Sequence, residues 1–159
     1  MSSMIEFKQF LNSEYCLKCK QCCIFEDTSW LPHLLSDDRK NLAKSEVCAK
    51  KFKNGLECCE FMNKSDHTCI VYEKRPFECR LYPFLLIDNQ GPLDLAVHLG
   101  CPYVLSKVNG KEFSEYCEYL ADILLSKDNL KKLKPEKSVF HWYPEIELFF
   151  IKKDILSGI

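Results

Sequence analysis

Residues 16–23 read CLKCKQCC, and this run decides how the rest of the chain is interpreted. It brings four thiols within eight positions, at spacings that let one short loop point successive sulfurs at a common centre. Three cysteines spaced by two are typical of loops that hold several corners of an iron–sulfur cluster, whereas mononuclear zinc sites usually take Cys-x-x-Cys pairs from two separate places. The spacing therefore favours iron and leaves zinc as the alternative.

Two pairs of adjacent cysteines, Cys22-Cys23 and Cys58-Cys59, bear on the number of metal sites. Neighbouring side chains in an extended chain point to opposite faces, so the two members of a pair are not expected to bind one metal in the same way. We therefore expect either that the chain has two metal sites or that one thiol of a pair is structural and binds no metal.

The chain has eleven cysteines in 159 residues, an odd number in a sequence long enough for an ordinary apolar core. Its first ten residues show no basic region followed by an apolar run, so they lack the pattern of a secretory signal. Disulfide frameworks are typical of small secreted domains, and free thiols are typical of reducing compartments. We therefore predict a soluble, cytoplasmic protein whose cysteines bind metal.

Charge and hydropathy argue against two classes of partner. The 22 basic and 23 acidic residues nearly cancel, which predicts no binding to nucleic acid or to an anionic membrane. The longest apolar stretch, at residues 148–151, is far shorter than the ~20 residues of a membrane-spanning helix. The expected partner is instead a protein of unknown identity, such as a redox partner.

The first half of the chain is predicted to form one helix and one small hairpin. Residues 36–38, a serine followed by two aspartates, have the pattern of a helix start, and apolar positions continue to Phe52. A helix is therefore expected over residues 36–52, with its end near Asn54-Gly55. Residues 61–72 are turn-rich between apolar patches, which suggests a hairpin or a metal-binding loop.

The second half is predicted to contain a hairpin followed by a helix. Residues 84–87 and 93–98 have the pattern of two strands around a turn, which would carry Cys101 back toward the other cysteines. Apolar positions over 111–126 keep the spacing of one helical face, with a further turn or two before Pro135. Residues 146–151 fit either a strand or a short helix.

These elements predict an α+β fold, in the form of a small irregular single domain with helices around a cysteine-lined metal core and short β-hairpins. No linker composition divides the sequence, so residues 1–159 are taken as one domain. Within it, residues 15–102 form the expected cysteine-cluster metal-binding region, and residues 103–159 form a helical and aromatic C-terminal extension.

Further motifs follow the first cysteine run: CEFM at residues 59–62, CIVY at 69–72, RP at 75–76 and CRLYPF at 79–84. The series resembles the CxxCxxCC, or YkgJ-like, cysteine-cluster family of zinc- or iron-chelating domains. The resemblance covers Tyr15 to about Pro102. Its most specific element is Cys-x-x-Tyr-x-x-Arg-Pro-x-x-Cys-Arg at residues 69–80, which matches at each motif position.

The resemblance implies a set of metal ligands and a cofactor that is an iron–sulfur cluster or zinc, in one or two sites. The implied ligands are Cys16, Cys19, Cys22, Cys23, Cys59, Cys69 and Cys79, with Cys101 as an additional motif cysteine. Eight thiols would fill two four-coordinate sites. The chain has CEFM where the family usually has Cys-Pro-Phe-Leu, and Cys58 precedes it, so Cys58 is an alternative to Cys59, although Cys59 keeps the spacing to the following aromatic residue.

Arg75 and Arg80 are placed to donate hydrogen bonds to cysteine sulfurs, because thiolates around a divalent metal leave excess negative charge. For Arg80, an ion pair with Glu73 or Glu78 is an equal alternative. Two groups of residues are interpreted as structural. Cys117 and Cys48 are taken as packed thiols within helices, and the histidines lack a shared ligand spacing, with His67 and His98 as minor ligand candidates.

Three functions are compatible with these residues. The first is an iron–sulfur protein that transfers electrons or supports a redox modification, and the second is a zinc-stapled protein-interaction module without catalytic activity. The third, with least support, is a metal-dependent enzyme with an open coordination position. Sequence motifs of hydrolases and nucleotide-binding enzymes are missing, so the sequence leaves open whether the protein is an enzyme.

Overall fold

The structure, a computed structural model, describes residues 4–19, 21–143 and 146–157. The chain forms two compact units. The first unit contains Met4 and residues 11–80, and the second contains residues 5–10 and the described residues from Leu81 onward. The first unit ends at Arg80, and the second continues from Leu81. The division of a single domain into a metal-binding region at 15–102 and an extension at 103–159 stays a prediction.

The first unit is built from short elements. Its helices are α1 (Ser13–Cys19), α2 (Ser36–Leu42) and α3 (Phe77–Leu81), of which only the last residue, Leu81, belongs to the second unit. The 3₁₀ turns lie at Gln21–Cys23, Thr28–Trp30, Lys53–Gly55 and Tyr72–Lys74. Its strands are β1 (Ile24–Phe25), β2 (Ala49–Lys51) and β3 (Glu57–Cys59), which form an antiparallel sheet with β3 in the middle. The register pairs Cys58 with Ile24 on one side and with Lys50 on the other.

The helix predicted over residues 36–52 is wrong beyond Leu42. Ala43 takes the left-handed conformation, with φ 52° and ψ 40°, and ends α2. The residues that would have formed the last turns instead make β2, which is hydrogen-bonded to β3. Pairing with a distant strand therefore overrides the local helical pattern.

The predicted hairpin over residues 61–72 is confirmed. Met62 and Cys69 form an antiparallel bridge, and the amide of Ile70 donates to the carbonyl of Phe61 at 2.9 Å. The loop between them includes His67 with a positive φ of 61°.

The second unit consists of a three-stranded antiparallel sheet and three helices. The strands β4 (Phe84–Asp88), β5 (Leu93–His98) and β6 (Leu148–Lys152) are arranged with β5 in the middle. The helices are α4 (Pro102–Leu105), α5 (Lys111–Leu125) and α6 (Lys127–Leu133), and a 3₁₀ segment, Lys134–Val139, follows. The predicted β4–β5 hairpin and the helix α5 are confirmed, and the undecided segment at 146–151 forms a strand.

The core of the second unit is apolar. Strand β5 is buried on both faces, and α5 contributes a buried stripe of Phe113, Cys117, Leu120 and Leu124 at helical spacing. The Phe84 and Phe113 rings stack with centroids 6.0 Å apart, which places α5 against the sheet. Burying each large aliphatic or aromatic side chain contributes about 1.5–3 kcal/mol, so this unit has an ordinary hydrophobic source of stability.

The α+β class predicted from the sequence is confirmed, since short helices and two small antiparallel sheets alternate along the chain. Within the described ranges, no helix combines the length and apolarity needed to cross a membrane.

Candidate metal centre

Three cysteines from separate stretches of the first unit meet at one end of its sheet. Cys23 directly precedes β1, Ile24 pairs with Cys58, and Cys23 and Cys59 are the next residues beyond this pair on the two antiparallel segments. The amide of Met62 donates to the carbonyl of Cys59 at 2.9 Å, and Met62 is bridged to Cys69. The sheet and the adjoining hairpin therefore bring Cys23, Cys59 and Cys69 to one place.

Cys79, in α3, completes a group of four with these three cysteines. Burial is the largest cause of the raised pKa values of Cys59, Cys69 and Cys79, and it raises the pKa of Cys59 to about 12. Repulsion within the group raises these pKa values further: Cys23 acts on the other three, Cys69 acts on Cys59, and Cys59 and Cys69 act on Cys79. Each pair in the group is thus close enough for the two thiolate charges to interact.

A second group forms around the first cysteine run and also contains Cys23. A hydrogen bond with Cys23, followed by burial, raises the pKa of Cys22, and the charges of Cys23, Cys16 and Cys79 add to the shift. Burial raises the pKa of Cys16, and Cys23 and Cys19 raise it further. The two groups share Cys23 and together form what we call the thiol cluster: Cys16, Cys19, Cys22, Cys23, Cys59, Cys69 and Cys79.

Arg75 supplies positive charge to the thiol cluster. Its Nη1 lies 3.8 Å from Cys16 Sγ, and its Nε donates to the carbonyl of Tyr72 at 2.9 Å. The guanidinium carbon lies 3.5 Å from the centroid of the Tyr72 ring, and only 7% of the arginine is exposed. This charge lowers the pKa values of Cys16 and Cys69, against the larger effect of burial. The sulfur contact is the kind expected from the sequence for Arg75.

Arg80 interacts with the carboxylate of Asp38, which was predicted to start a helix and not to be a partner of Arg80. Its charge lowers the pKa of Asp38, although burial is the larger effect and raises that pKa overall. The alternatives weighed from the sequence were a cysteine sulfur, Glu73 and Glu78. Asp38 lies far from Arg80 in sequence, and no local spacing indicated that the two would meet.

The structure brings together seven of the eight predicted ligands. Cys101 lies in the second unit, 5% exposed, at the residue before α4, where its amide donates to the carbonyl of His98 at 3.3 Å. Its role as an additional ligand stays a prediction, as do the ligand roles of the other seven. Cys58 is fully buried in the middle of the sheet, whereas Cys59 belongs to the thiol cluster.

The two cysteines interpreted as packed thiols differ. Cys117 is buried in α5, as predicted, and burial raises its pKa to about 11. The prediction that Cys48 is a buried helical thiol is wrong, because the helix ends at Leu42 and Cys48 is exposed beside β2.

A polar network that sequence reasoning missed holds the segment that carries Cys59. The ammonium group of Lys50 donates to the carbonyl of Glu60 at 2.9 Å and also to that of Met62. The Glu60 carboxylate accepts from the amide of Cys48 at 2.8 Å and pairs with Lys44. These contacts tie β2 to the loop after β3. Most of their partners are backbone groups, which leave no signature in a sequence.

The two minor histidine candidates have other contacts. In the second unit, Nδ1 of His98 lies 3.0 Å from the hydroxyl of Tyr82, and burial lowers the pKa of His98. His67, in the first unit, packs edge-on against Phe52 with ring centroids 5.3 Å apart.

The donor chemistry of the thiol cluster fits zinc or iron. Sulfur is the preferred donor of both in structural and cluster sites, and Arg75 offsets part of the thiolate charge. The Tyr72 ring packs against Arg75, and its buried hydroxyl has no hydrogen-bond partner among the described residues. In residues 4–19, 21–143 and 146–157, no three Cys, His, Asp or Glu side chains are already arranged to hold one metal ion.

Comparison with known proteins identifies the family. A family model described as "CxxCxxCC: Putative zinc- or iron-chelating domain" matches residues 15–118, which is well over half of the chain. Neither the curated proteins nor the solved structures contain a match to the chain. The match begins one residue before the first motif cysteine and extends into α5, so it includes all eight predicted ligands. The chain therefore belongs to the CxxCxxCC family of zinc- or iron-chelating domains.

Proposed function

We propose that the cysteines of the thiol cluster bind a metal centre with more than one metal ion. We further propose that this centre is an iron–sulfur cluster in the functional protein. The observation that carries the proposal is the position of Cys23, which belongs to both groups of thiols. A closed mononuclear site uses four ligands. The thiol cluster has seven thiols, more than the four that one metal ion needs, and Cys23 belongs to both of its groups. This arrangement suits a centre with several metal ions.

Two observations support iron. Cys16, Cys19 and Cys22 keep the spacing typical of loops that hold an iron–sulfur cluster. The Arg75 hydrogen bond to Cys16 is an interaction that raises the reduction potential of such clusters, since it stabilises the more negative reduced state. The cluster would supply electron transfer when bound, in a reducing compartment such as the cytoplasm. Arg75 and Tyr72 would hold its charge in place, and a redox protein would be the partner.

Zinc is the second candidate, favoured by the group of Cys23, Cys59, Cys69 and Cys79. All six pairs within this group interact electrostatically, and all four donors are sulfur, as in closed tetrathiolate zinc sites. A zinc ion there would staple β3, the hairpin and α3 into a platform for a protein partner. This function would need no redox chemistry.

The test is the content of iron, zinc and acid-labile sulfide, with an absorption spectrum, in protein purified without oxygen. We expect iron and sulfide in similar amounts, with a broad absorption near ~400 nm typical of thiolate-ligated clusters. Zinc without sulfide would establish the second candidate instead, and protein that retains neither metal after reconstitution would overturn both.

Matched serine variants test the central position of Cys23. Cys23→Ser should lose most of the bound metal, because it removes a thiol from both groups. Cys117→Ser, which changes a buried thiol of the second unit, should keep the full metal content. Equal metal content in the Cys23→Ser variant and the unaltered protein would contradict a centre that depends on Cys23.

A further inference from the structure

One buried carboxylate, that of Asp38, joins the starts of two helices in the first unit. Asp38 is 3% exposed and lies in the first turn of α2. Its Oδ2 accepts a hydrogen bond from the amide of Leu35 at 3.0 Å, which satisfies a donor at the start of its own helix. Asp38 therefore acts first as a cap for α2.

The same carboxylate also caps α3, which lies 39 residues further along the chain. The amide of Phe77 is 3.1 Å from both Oδ1 and Oδ2 of Asp38. Pro76 has no amide hydrogen, so Phe77 carries the first donor available at this helix start. The charge of Arg80, one turn later in α3, also acts on Asp38. A buried carboxylate is costly without such partners, and its position is therefore closely defined.

A second carboxylate, that of Glu78 in α3, accepts a hydrogen bond from the segment that precedes α2. Oε2 of Glu78, in α3, accepts from the amide of His33 at 2.7 Å, and it lies 3.6 Å from His33 Nδ1. His33 is in the segment that leads into α2. The segment at residues 33–38 and the helix α3 are thus joined by one carboxylate from each side.

These contacts surround a cysteine of the thiol cluster. Cys79 lies two residues after Phe77 and directly after Glu78, and α3 has only five residues. So short a helix has little stability of its own, and its place depends on contacts with the rest of the unit. We propose that Asp38 is a positioning residue for the metal centre: its buried carboxylate fixes the start of α3 and thereby holds Cys79 beside Cys23, Cys59 and Cys69. This inference rests on the proposed metal centre.

The test compares Asp38→Asn with Asp37→Asn, a control in the same helical turn whose carboxylate lies 3.9 Å from the exposed ammonium group of Lys40. The first readout is the alkylation rate of each cysteine in reduced, metal-free protein, followed by peptide mass mapping. We expect Cys79 to react several-fold faster in Asp38→Asn, while the fully buried Cys58 keeps its rate. The control should change neither rate. Asp38→Glu, which keeps the charge but displaces the carboxylate, should give a smaller change in the same direction.

The second readout is zinc affinity, measured by competition with a chromophoric chelator. Loss of a group that orients a ligand typically weakens metal binding by about 10–100-fold, and we expect a loss in this range for Asp38→Asn alone. Faster alkylation of Cys79 and Cys58 by the same factor would overturn the proposal, because Asp38 would then stabilise the whole unit. Unchanged alkylation of Cys79 would overturn it as well.

The two readouts separate failure of this inference from failure of the proposed function. Selective alkylation of Cys79 in a protein that binds no zinc or iron would show that Asp38 positions the cysteine and that the metal centre is wrong. Normal metal binding by the unaltered protein and by Asp38→Asn, with equal alkylation of Cys79, would leave the metal centre standing and overturn the role of Asp38.

Discussion

The two units of the chain differ in the side chains that they bury. Among the described residues, 21 buried apolar side chains lie in the second unit and seven lie in the first, although both units are of similar length. The second unit has a sheet with a helix packed on it, whereas the first has strands of two or three residues around a cluster of thiols. A core in a unit of ~70 residues rarely supplies more than about 3–5 kcal/mol. The comparison indicates that the second unit is stabilised by its apolar core, and we expect bound metal to supply much of the stability of the first.

The largest expected difference between the units is their response to pH. Burial and mutual repulsion raise the pKa values of Cys16, Cys59, Cys69 and Cys79 above those of ordinary thiols, and a hydrogen bond with Cys23, followed by burial, raises the pKa of Cys22. These groups are therefore protonated near neutral pH in metal-free protein. Metal binding must displace those protons, and affinity therefore rises with pH. Each displaced proton contributes about tenfold per pH unit, or up to about 10⁴-fold for four.

Zinc titrations between about pH 7 and about pH 8 would measure this dependence, together with the unfolding of the second unit as an internal comparison. Burial lowers the pKa of His98, so this histidine stays neutral over that range and the second unit should keep its stability. A zinc affinity that does not change with pH would mean that the ligands are not protonated thiols.

The next largest effect is expected from a substitution in the apolar core. Leu120 is fully buried in α5, and Leu120→Ala should destabilise the second unit by about 2–5 kcal/mol through the lost contacts and the cavity left behind. Denaturant unfolding followed by amide exchange in β5 would measure this loss. Metal content should stay the same, and a parallel loss of metal would show that the first unit does not hold its metal independently of this core.

The smallest expected effect concerns Arg75. Arg75→Lys keeps a positive charge but loses the planar group that lies over Tyr72 and reaches Cys16, so metal affinity should fall by about 10–100-fold. Lys74→Arg, at the neighbouring exposed position, serves as the control. Chelator competition would measure both variants. Equal affinities would show that the charge of Arg75 matters and its geometry does not.

Features specified by local spacing could be predicted from the sequence. The helix α5 and the β4–β5 hairpin follow from apolar periodicity and turn residues. The family resemblance implied the seven cysteines that the structure brings together. Features that depend on distant backbone partners could not be predicted. The helix at residues 36–52 was overestimated because β2 pairs with β3. Asp38 was recognised as part of a helix start, but its contact with α3 was missed because the partner is the backbone amide of Phe77.

The central claim is that bound metal stabilises the first unit, as apolar packing stabilises the second. Hydrogen–deuterium exchange of zinc-loaded and metal-free protein, prepared under reducing conditions, tests it most directly. We expect metal removal to lower the protection of residues 16–25 and 57–79 and to leave the protection of Leu93–His98 in β5 unchanged. Equal protection of residues 16–25 and 57–79 with and without metal would contradict the account.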